Sequence, residues 1–376
     1  MSSSTARKTL RIVHVSSAHP WTDNRVHLRE AVSLSEAGYH VGLIAVESEV
    51  SVPKTGVGVI TIRRRRRLSR MVLSTTEVII RAIRSGAKVV HLHDPELIPA
   101  IPLLRALGRR VVYDAHEDLP SQVLDKTYLP ARARAAIASA SKVLIALAST
   151  ADGIVTATDT IAERFPARKT AVIKNYPRLR KEDVDSEPIL ERPLAAVYVG
   201  AMSVERGLEV VASALTETSF PQGWRLDVAG AFAPRDFEQH FAALAGDRVR
   251  IHGMVSPAAA RDLLTHGRVG IVTFQATRAH VDALPTKMFE YMAAGVPVVA
   301  SDFPLWRSIL EHLDCATFVD ETSPTALAEA IRAYADDPDL LARHSQNALK
   351  AAHSELNWTS QAERLVAFYG KLTDSL

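Results

Sequence analysis

The segment Asp282–Asp302, DALPTKMFEYMAAGVPVVASD, places two carboxylates, a lysine and a proline around one helix start. Pro285 suits a first helical turn, because it has no N–H to leave unpaired. Helix Thr286–Ala294 would end at Gly295, a good left-handed cap, ahead of Pro297 and a strand Val298–Ala300. Glu290 then falls mid-helix among Met288, Phe289, Tyr291 and Met292. A carboxylate there is costly to bury, so it must reach water or bind something. Asp282 lies eight residues earlier, on the loop into the helix. The pair could hold polyol hydroxyls, with Thr286 and the first-turn amides facing a phosphate. The plainer alternative is a capped helix with a solvated glutamate.

Four other segments carry chemistry. In Tyr198–Gly207, YVGAMSVERG, Arg206 stands at a helix start. A cation there is what a departing diphosphate needs, and a guanidinium binds it bidentately. The alternative is an ion pair with Glu205 or Glu209. Val89–Pro95, VVHLHDP, and Val111–Pro120, VVYDAHEDLP, each end an apolar run in polar residues. Ligand groups belong at such strand ends. His91 and His93 would share one strand face and could ligate a metal together. No matching ligand cluster stands elsewhere in the sequence, so no metal is expected. In His19–Arg25, HPWTDNR, Asp23 or Asn24 would cap a helix.

These segments need a scaffold, and the sequence alternates strands with helices. Apolar runs recur at Arg11–Val15, Val41–Val46, Val59–Ile62, Val89–His93, Arg110–Tyr113, Gly153–Thr156 and Ala171–Ile173. Six more follow at Ala195–Val199, Arg225–Val228, Val249–Ile251, Val269–Val272, Val298–Ala300 and Ala316–Val319. Short β-branched runs bounded by Gly, Asp or Pro read as buried strands. Helical spacing fills Asn24–Ala37, Thr76–Arg84, Ala131–Leu147, Leu208–Leu215 and Pro324–Ala335. Strand–helix–strand succession means parallel sheets with right-handed crossovers. Thirteen strands suit two doubly wound sheets better than one. The break falls in Asn175–Pro193, a polar stretch with three prolines. The expected domains are 1–176 and 177–356, with a helix over 357–376 crossing back to the first. A ligand site between two such sheets is the default.

The chain has 376 residues, a mass of 41.0 kDa, 47% hydrophobic residues and a net charge of +3. That composition excludes wholesale disorder. The charge balance excludes a dedicated nucleic-acid binder. One cysteine, Cys315, excludes an intramolecular disulfide and fits a reducing cytoplasm. No signal-peptide core and no apolar run of membrane-spanning length is present, so a cytoplasmic protein is expected.

The Asp282–Asp302 segment resembles the signature of glycosyltransferase family 4, in Glu290, Ala293, Ala294, Gly295, Pro297 and Val298. Pro-Thr-Lys-Met-Phe-Glu-Tyr is similar to a subgroup with Asn-Lys-x-Phe-Glu-Tyr, and the His19–Arg25 loop to one with Asp-x-Arg-Val. The first acidic position is Asp282 instead of Glu. Gly200 and Gly207 match the two glycines of another family turn, with Arg206 in a Lys position and Ala201 replacing an Arg. The resemblance implies a GT-B fold, α/β, with two Rossmann-like domains facing a cleft. It implies a retaining transferase that uses a nucleotide-diphosphate sugar, UDP- or GDP-linked, with UDP favoured.

By the same resemblance, Glu290 holds the ribose, and Asp282, Leu284, Pro285 and Thr286 hold the donor sugar and diphosphate. Gly253 and Met254 end the strand and turn that support the base. His116 meets the donor sugar. His93 and Asp94 face the acceptor, and Asp23 and Arg25 lie beside them. Arg25 makes a phosphate or acceptor contact or, equally, a surface salt bridge. Trp358 anchors the returning helix.

The expected reaction moves a hexose-type sugar to a glycan, lipid-linked or small-molecule acceptor by front-face attack. Arg206, Lys287 and helix N-termini would stabilise the diphosphate, with no divalent metal. Asp183-Val184-Asp185 spells a metal motif but lies in the expected linker. An epimerase on the same fold and a degenerate nucleotide-sugar-binding scaffold are the rivals. The run Arg63–Arg67 in TIRRRRRLSR is either a solvated loop or a dock for anionic lipid on the inner membrane face. Helix Ala131–Leu147 is read as a core helix, with a membrane-surface role as the alternative.

Overall fold

The computed structural model describes residues 10–50, 52–116, 131–179 and 187–374. The Asp183-Val184-Asp185 motif lies outside them. The chain divides into two compact units, 1–175 with 358–376, and 176–357.

The first unit holds a seven-stranded sheet in the order β3-β2-β1-β4-β5-β6-β7. Its strands are β1 (Arg11–Pro20), β2 (His40–Val46), β3 (Gly58–Ile62), β4 (Val89–Leu92), β5 (Arg110–Ala115), β6 (Gly153–Thr156) and β7 (Thr170–Val172). The second unit holds a six-stranded sheet in the order β10-β9-β8-β11-β12-β13. Those strands are β8 (Ala195–Val199), β9 (Arg225–Ala229), β10 (Val249–Ile251), β11 (Val269–Val272), β12 (Val298–Ser301) and β13 (Ala316–Val319). All pairings are parallel. The central strands are apolar on both faces because helices cover both.

In each sheet the strand order reverses once, between β1 and β4 and between β8 and β11. Crossovers leave in opposite directions there, which opens a crevice beyond the strand ends. Residues 16–20 and 93–94 stand at the first reversal. Residues 200–207 and 273–275 stand at the second.

One face of the first sheet is covered by helices Thr75–Arg84, Ile101–Ala106 and Ala131–Ala148. Helix Ala131–Ala148 turns Leu144, Ile145 and Leu147 to that core but exposes Ile137 and Val143. Its C-terminal half packs on the core as expected, and the described side chains before it face outward. The other face is covered by Asn24–Glu36 and by helix Trp358–Thr373. Trp358 is buried and its indole N–H donates to Ser33 Oγ at 2.8 Å. Gly153 has no Cβ because Phe368 of that helix would lie 2.5 Å from it.

Two boundaries differ most from the sequence expectation. β1 runs on to Pro20, since Ser16–Pro20 has no apolar pattern but pairs again with β2 at Val46 beyond an irregularity. The helix expected over Asn24–Ala37 begins as a π-helical stretch, Asn24–Ala31, before α-helix Val32–Glu36. Asp23, not Asn24, caps it, with Oδ1 accepting from the Arg25 and Val26 amides at 2.8 Å.

Candidate active site

In the second unit the strand ends are packed so closely that only glycine fits. A Cβ on Gly207 would stand 1.7 Å from Thr273 O, and one on Gly230 would stand 2.0 Å from Gly200 O. Gly207 has φ 78°, which lets a 3-10 turn, Val204–Arg206, pass directly into helix Leu208–Ala214. Gly230 N–H donates to Gly253 O at 2.7 Å, tying the ends of β9 and β10 together. Met254, beside Gly253, is exposed.

Helix Thr286–Ala293 starts after Pro285 and ends ahead of Gly295, whose φ is 69°. The Trp306 indole donates to Ala283 O at 2.7 Å and fixes the loop into that helix. Asp282 on this loop is exposed, whereas Leu284, Pro285, Thr286 and Glu290 are half-buried.

Lys287 is the exceptional residue. It is buried, and its Nζ has no hydrogen-bond partner among the described residues. The ammonium sits 3.5 Å from the centre of the Tyr198 ring and 5.3 Å from that of Phe274. A Cβ on Gly200 would touch Nζ at 3.1 Å, so the lysine tip lies against the turn after β8. Burial lowers its pKa well below the ordinary lysine range; the charge of Arg206 adds to this, and Glu290 opposes it. Arg206 is half-buried, 5.3 Å over the Phe274 ring. It forms no ion pair with Glu205 or Glu209 among the described residues; Glu209 pairs with His240 at 3.2 Å. Two basic side chains thus crowd one strand reversal, where an anion would give the Lys287 Nζ a partner and favour its charged form.

The first unit's reversal is built differently. Arg25 is not at the surface and does not reach outward, contrary to both sequence readings. It is buried, and its guanidinium donates to both Asp114 oxygens (3.1 and 2.9 Å) and to Ile173 O (2.8 Å). Its Nε also stands 3.0 Å from Glu30 Oε1. The π-helical stretch sets Arg25 and Glu30 over β1, β4 and β5. Asp114 opposes burial by pairing first with Arg25, then His116 and His93, and its pKa falls well below the carboxylate range. Glu30, buried beside that carboxylate, is pushed well above it, with Arg25 opposing.

His93 and Asp94, expected on the acceptor side, are likewise turned inward and buried. His93 Nδ1 donates to Asp114 Oδ2 at 3.1 Å. Its Nε2 is 2.9 Å from His14 Nδ1, and the Tyr369 hydroxyl is 2.9 Å from His91 Nδ1. Ligand-type atoms of His14, Glu30, His91 and His93 lie within 4.8 Å of one another, as do those of His93, Asp114 and His116. His116 is the member of this network that emerges. Its Nε2 stands 2.9 Å from Asp114 Oδ2 and its side chain is 18% exposed. Asp23 is half-buried and occupied as a helix cap.

Sequence reasoning missed His14, His19 and Glu30. His14 pairs with His91 in the β1–β4 register, so their side chains share a face. A polar residue inside an apolar strand run, as in RIVHV, is the signal that marks it.

Residues 193–337 match the family model for group 1 glycosyl transferases. The sequence matches no curated protein. Sucrose-phosphate synthase from Thermosynechococcus elongatus superposes with a TM-score of 0.76 at 16% identity, over 98% of this chain and 100% of that one. Anabaena HepE in complex with UDP and glucose gives 0.71 at 14% identity, over 96% and 100%. WaaG, a glycosyltransferase involved in lipopolysaccharide biosynthesis, gives 0.70 at 16% identity, over 96% and 100%. Residues 193–337 of the second unit therefore match a group 1 glycosyl transferase domain, and the two Rossmann-like domains of the chain have the GT-B fold of these structures.

Proposed function

We propose that the chain transfers a sugar from a nucleotide-diphosphate sugar, with retention of configuration, and that the second unit binds the donor. The observation that carries this is Lys287, a buried ammonium without a hydrogen-bond partner beside Arg206 and Gly200. A diphosphate satisfies both cations as negative charge develops on the leaving oxygen. Glu290, half-buried on the same helix, is placed to accept ribose hydroxyls. The HepE complexes with UDP, UDP and glucose, and UDP-glucose support a uridine donor over a guanosine one.

The test is thermal shift against UDP, GDP, ADP and TDP, with Glu290→Ala as control. A nucleotide at ~100 times its dissociation constant stabilises by about 2.7 kcal/mol. UDP is expected to raise the transition, and Glu290→Ala to abolish the rise. No rise with any nucleotide would favour a scaffold. Donor turnover without acceptor and without hydrolysis would favour an epimerase. With two protein cations on the leaving group, no divalent metal is required, so activity is expected to survive chelator.

The acceptor is a lipid-linked one on this reading, because the first unit presents a surface suited to an anionic bilayer. Leu68 is 82% exposed, and Met71, Val72 and Leu73 are exposed beside it. Together they make an apolar turn at the start of the helical stretch 67–84. Arg65 is held by Glu77 at 2.8 Å and Arg70 by Glu96 at 2.9 Å. Arg63, Arg64, Arg66 and Arg67 are exposed with no ion pair among the described residues. Basic residues near an anionic surface contribute about 1 kcal/mol each. No described helix is long and apolar enough to cross a membrane. Cosedimentation with phosphatidylglycerol vesicles at low salt is expected, and Leu68→Ser with Val72→Ser should weaken it. Failure to cosediment there would remove the lipid-linked acceptor.

A further inference from the structure

The polar end of β1, Ser16–Pro20, carries a cation that the donor chemistry does not use. Asp94, 1% exposed, gathers this segment. Its Oδ2 accepts from the amides of Ser17 (2.6 Å) and Ala18 (3.3 Å) and from the hydroxyls of Ser16 (2.9 Å) and Ser17 (3.2 Å). Its Oδ1 accepts from His19 Nδ1 at 3.0 Å. His19 is held on the inward side while its side chain stays 34% exposed. Its ring stacks on His116, with centroids 5.4 Å apart and planes 21° from parallel. His116 is braced the same way, from behind, by Asp114. Two imidazoles thus stand side by side beyond β1 and β5, each backed by a buried carboxylate.

The charge state follows from these contacts. Burial alone would lower the His19 pKa, but the hydrogen bond and charge of Asp94, with Asp23 and Asp114, raise it to about 9. Burial would raise Asp94, yet His19, the Ser17 amide and Ser16 hold it at about 2. His19 is therefore an imidazolium across neutral pH. The ion pair stabilises the fold fully between the ordinary aspartate and histidine values, 3.8 and 6.5, and its contribution is lost as pH rises through about 9 or falls through about 2.

We infer that His19 and His116 form an oxyanion site that grips a phosphate or carboxylate group of the acceptor. Their outward nitrogens are His19 Nε2 and His116 Nδ1, since the inward ones face Asp94 and Asp114. A charge-assisted N–H beside a second imidazole suits an oxyanion presenting two oxygens. The site lies at the strand reversal of the first sheet, where a ligand is expected to bind. The assignment to the acceptor rests on the transferase reading above; the site itself does not.

The probe is inorganic sulfate, whose charge is constant from pH 6 to 8. Imidazole NMR resonances would be followed during sulfate titration at matched ionic strength in chloride. His19 and His116 are expected to shift together and saturably, with His19 titrating near pH 9. His19→Gln should remove the saturable shift of His116, and Asp94→Asn should lower the His19 pKa and weaken sulfate at pH 8 more than at pH 6. A His19 resonance that sulfate does not move beyond the chloride control would overturn the site, even in protein that still binds UDP. UDP that displaces sulfate from His19 would assign the oxyanion to the donor and overturn the acceptor assignment. Loss of UDP binding with the sulfate response intact would instead overturn the transferase reading and take the acceptor assignment with it.

Discussion

Replacing Lys287 by methionine is expected to lower kcat for sugar transfer by about 10²–10³-fold while leaving the protein at least as stable. The two halves of this result have one cause. The ammonium is buried against the Tyr198 ring with no hydrogen-bond partner, and burial depresses its pKa. A desolvated charge of this kind opposes folding, so an apolar side chain of similar length relieves the cost. The same charge gains its largest stabilisation when the leaving diphosphate carries most negative charge. Steady-state kinetics with urea unfolding on the same preparation would check both. Unchanged kcat would reduce Lys287 to a packing residue of the Tyr198 ring. A lowered kcat with equally lowered stability would point to a collapsed helix start instead.

Arg25→Ala is expected to destabilise the first unit by about 3–5 kcal/mol, the usual cost of stranding one partner of a buried ion pair. Asp114 would lose its bidentate partner and Glu30 its one nearby cation, and Ile173 O would lose its donor. The double variant Arg25→Met with Asp114→Asn removes both charges together. It should recover part of the loss, because the penalty lies in the unpaired carboxylate. Urea denaturation that resolves the two units would show the first transition moving and the second unmoved. Equal losses in the single and double variants would mean that the guanidinium acts by packing alone.

The GT-B fold was legible because its strands are short, apolar and β-branched, and such runs have few alternatives when both faces are covered. Val269–Val272 and Ala316–Val319 fall where the sequence places them for that reason. β1 was read too short because Ser16–Pro20 is extended by polar bonds to Asp94, not by an apolar pattern. The helix start around Lys287 was legible from Pro285 and Gly295, whose backbone demands are local. The lysine's burial was not, since it depends on Tyr198, brought in from another strand. Arg25 shows the limit most clearly. An Asp-x-Arg sequence looks like a solvent-facing loop. Only the register of β1, β4 and β5 reveals that Asp114 lies inside, waiting for a cation. His19 escaped for the same reason, as its partner stands 75 residues away.

Helix Trp358–Thr373 has a consequence for how the chain comes off the ribosome. It packs on β7 and on the Asn24–Glu36 stretch and supplies Trp358 and Tyr369 to the core of the first unit. Most of that unit is made before the second, yet it lacks part of one wall until all of residues 176–357 have been translated. The second unit is contiguous and can close as soon as its own residues are out. During synthesis the earlier half therefore waits, with part of one face of its sheet bare, for a segment made after the later half is complete. A nascent chain stalled before Trp358 should bind chaperone through that face and release it once the helix is added.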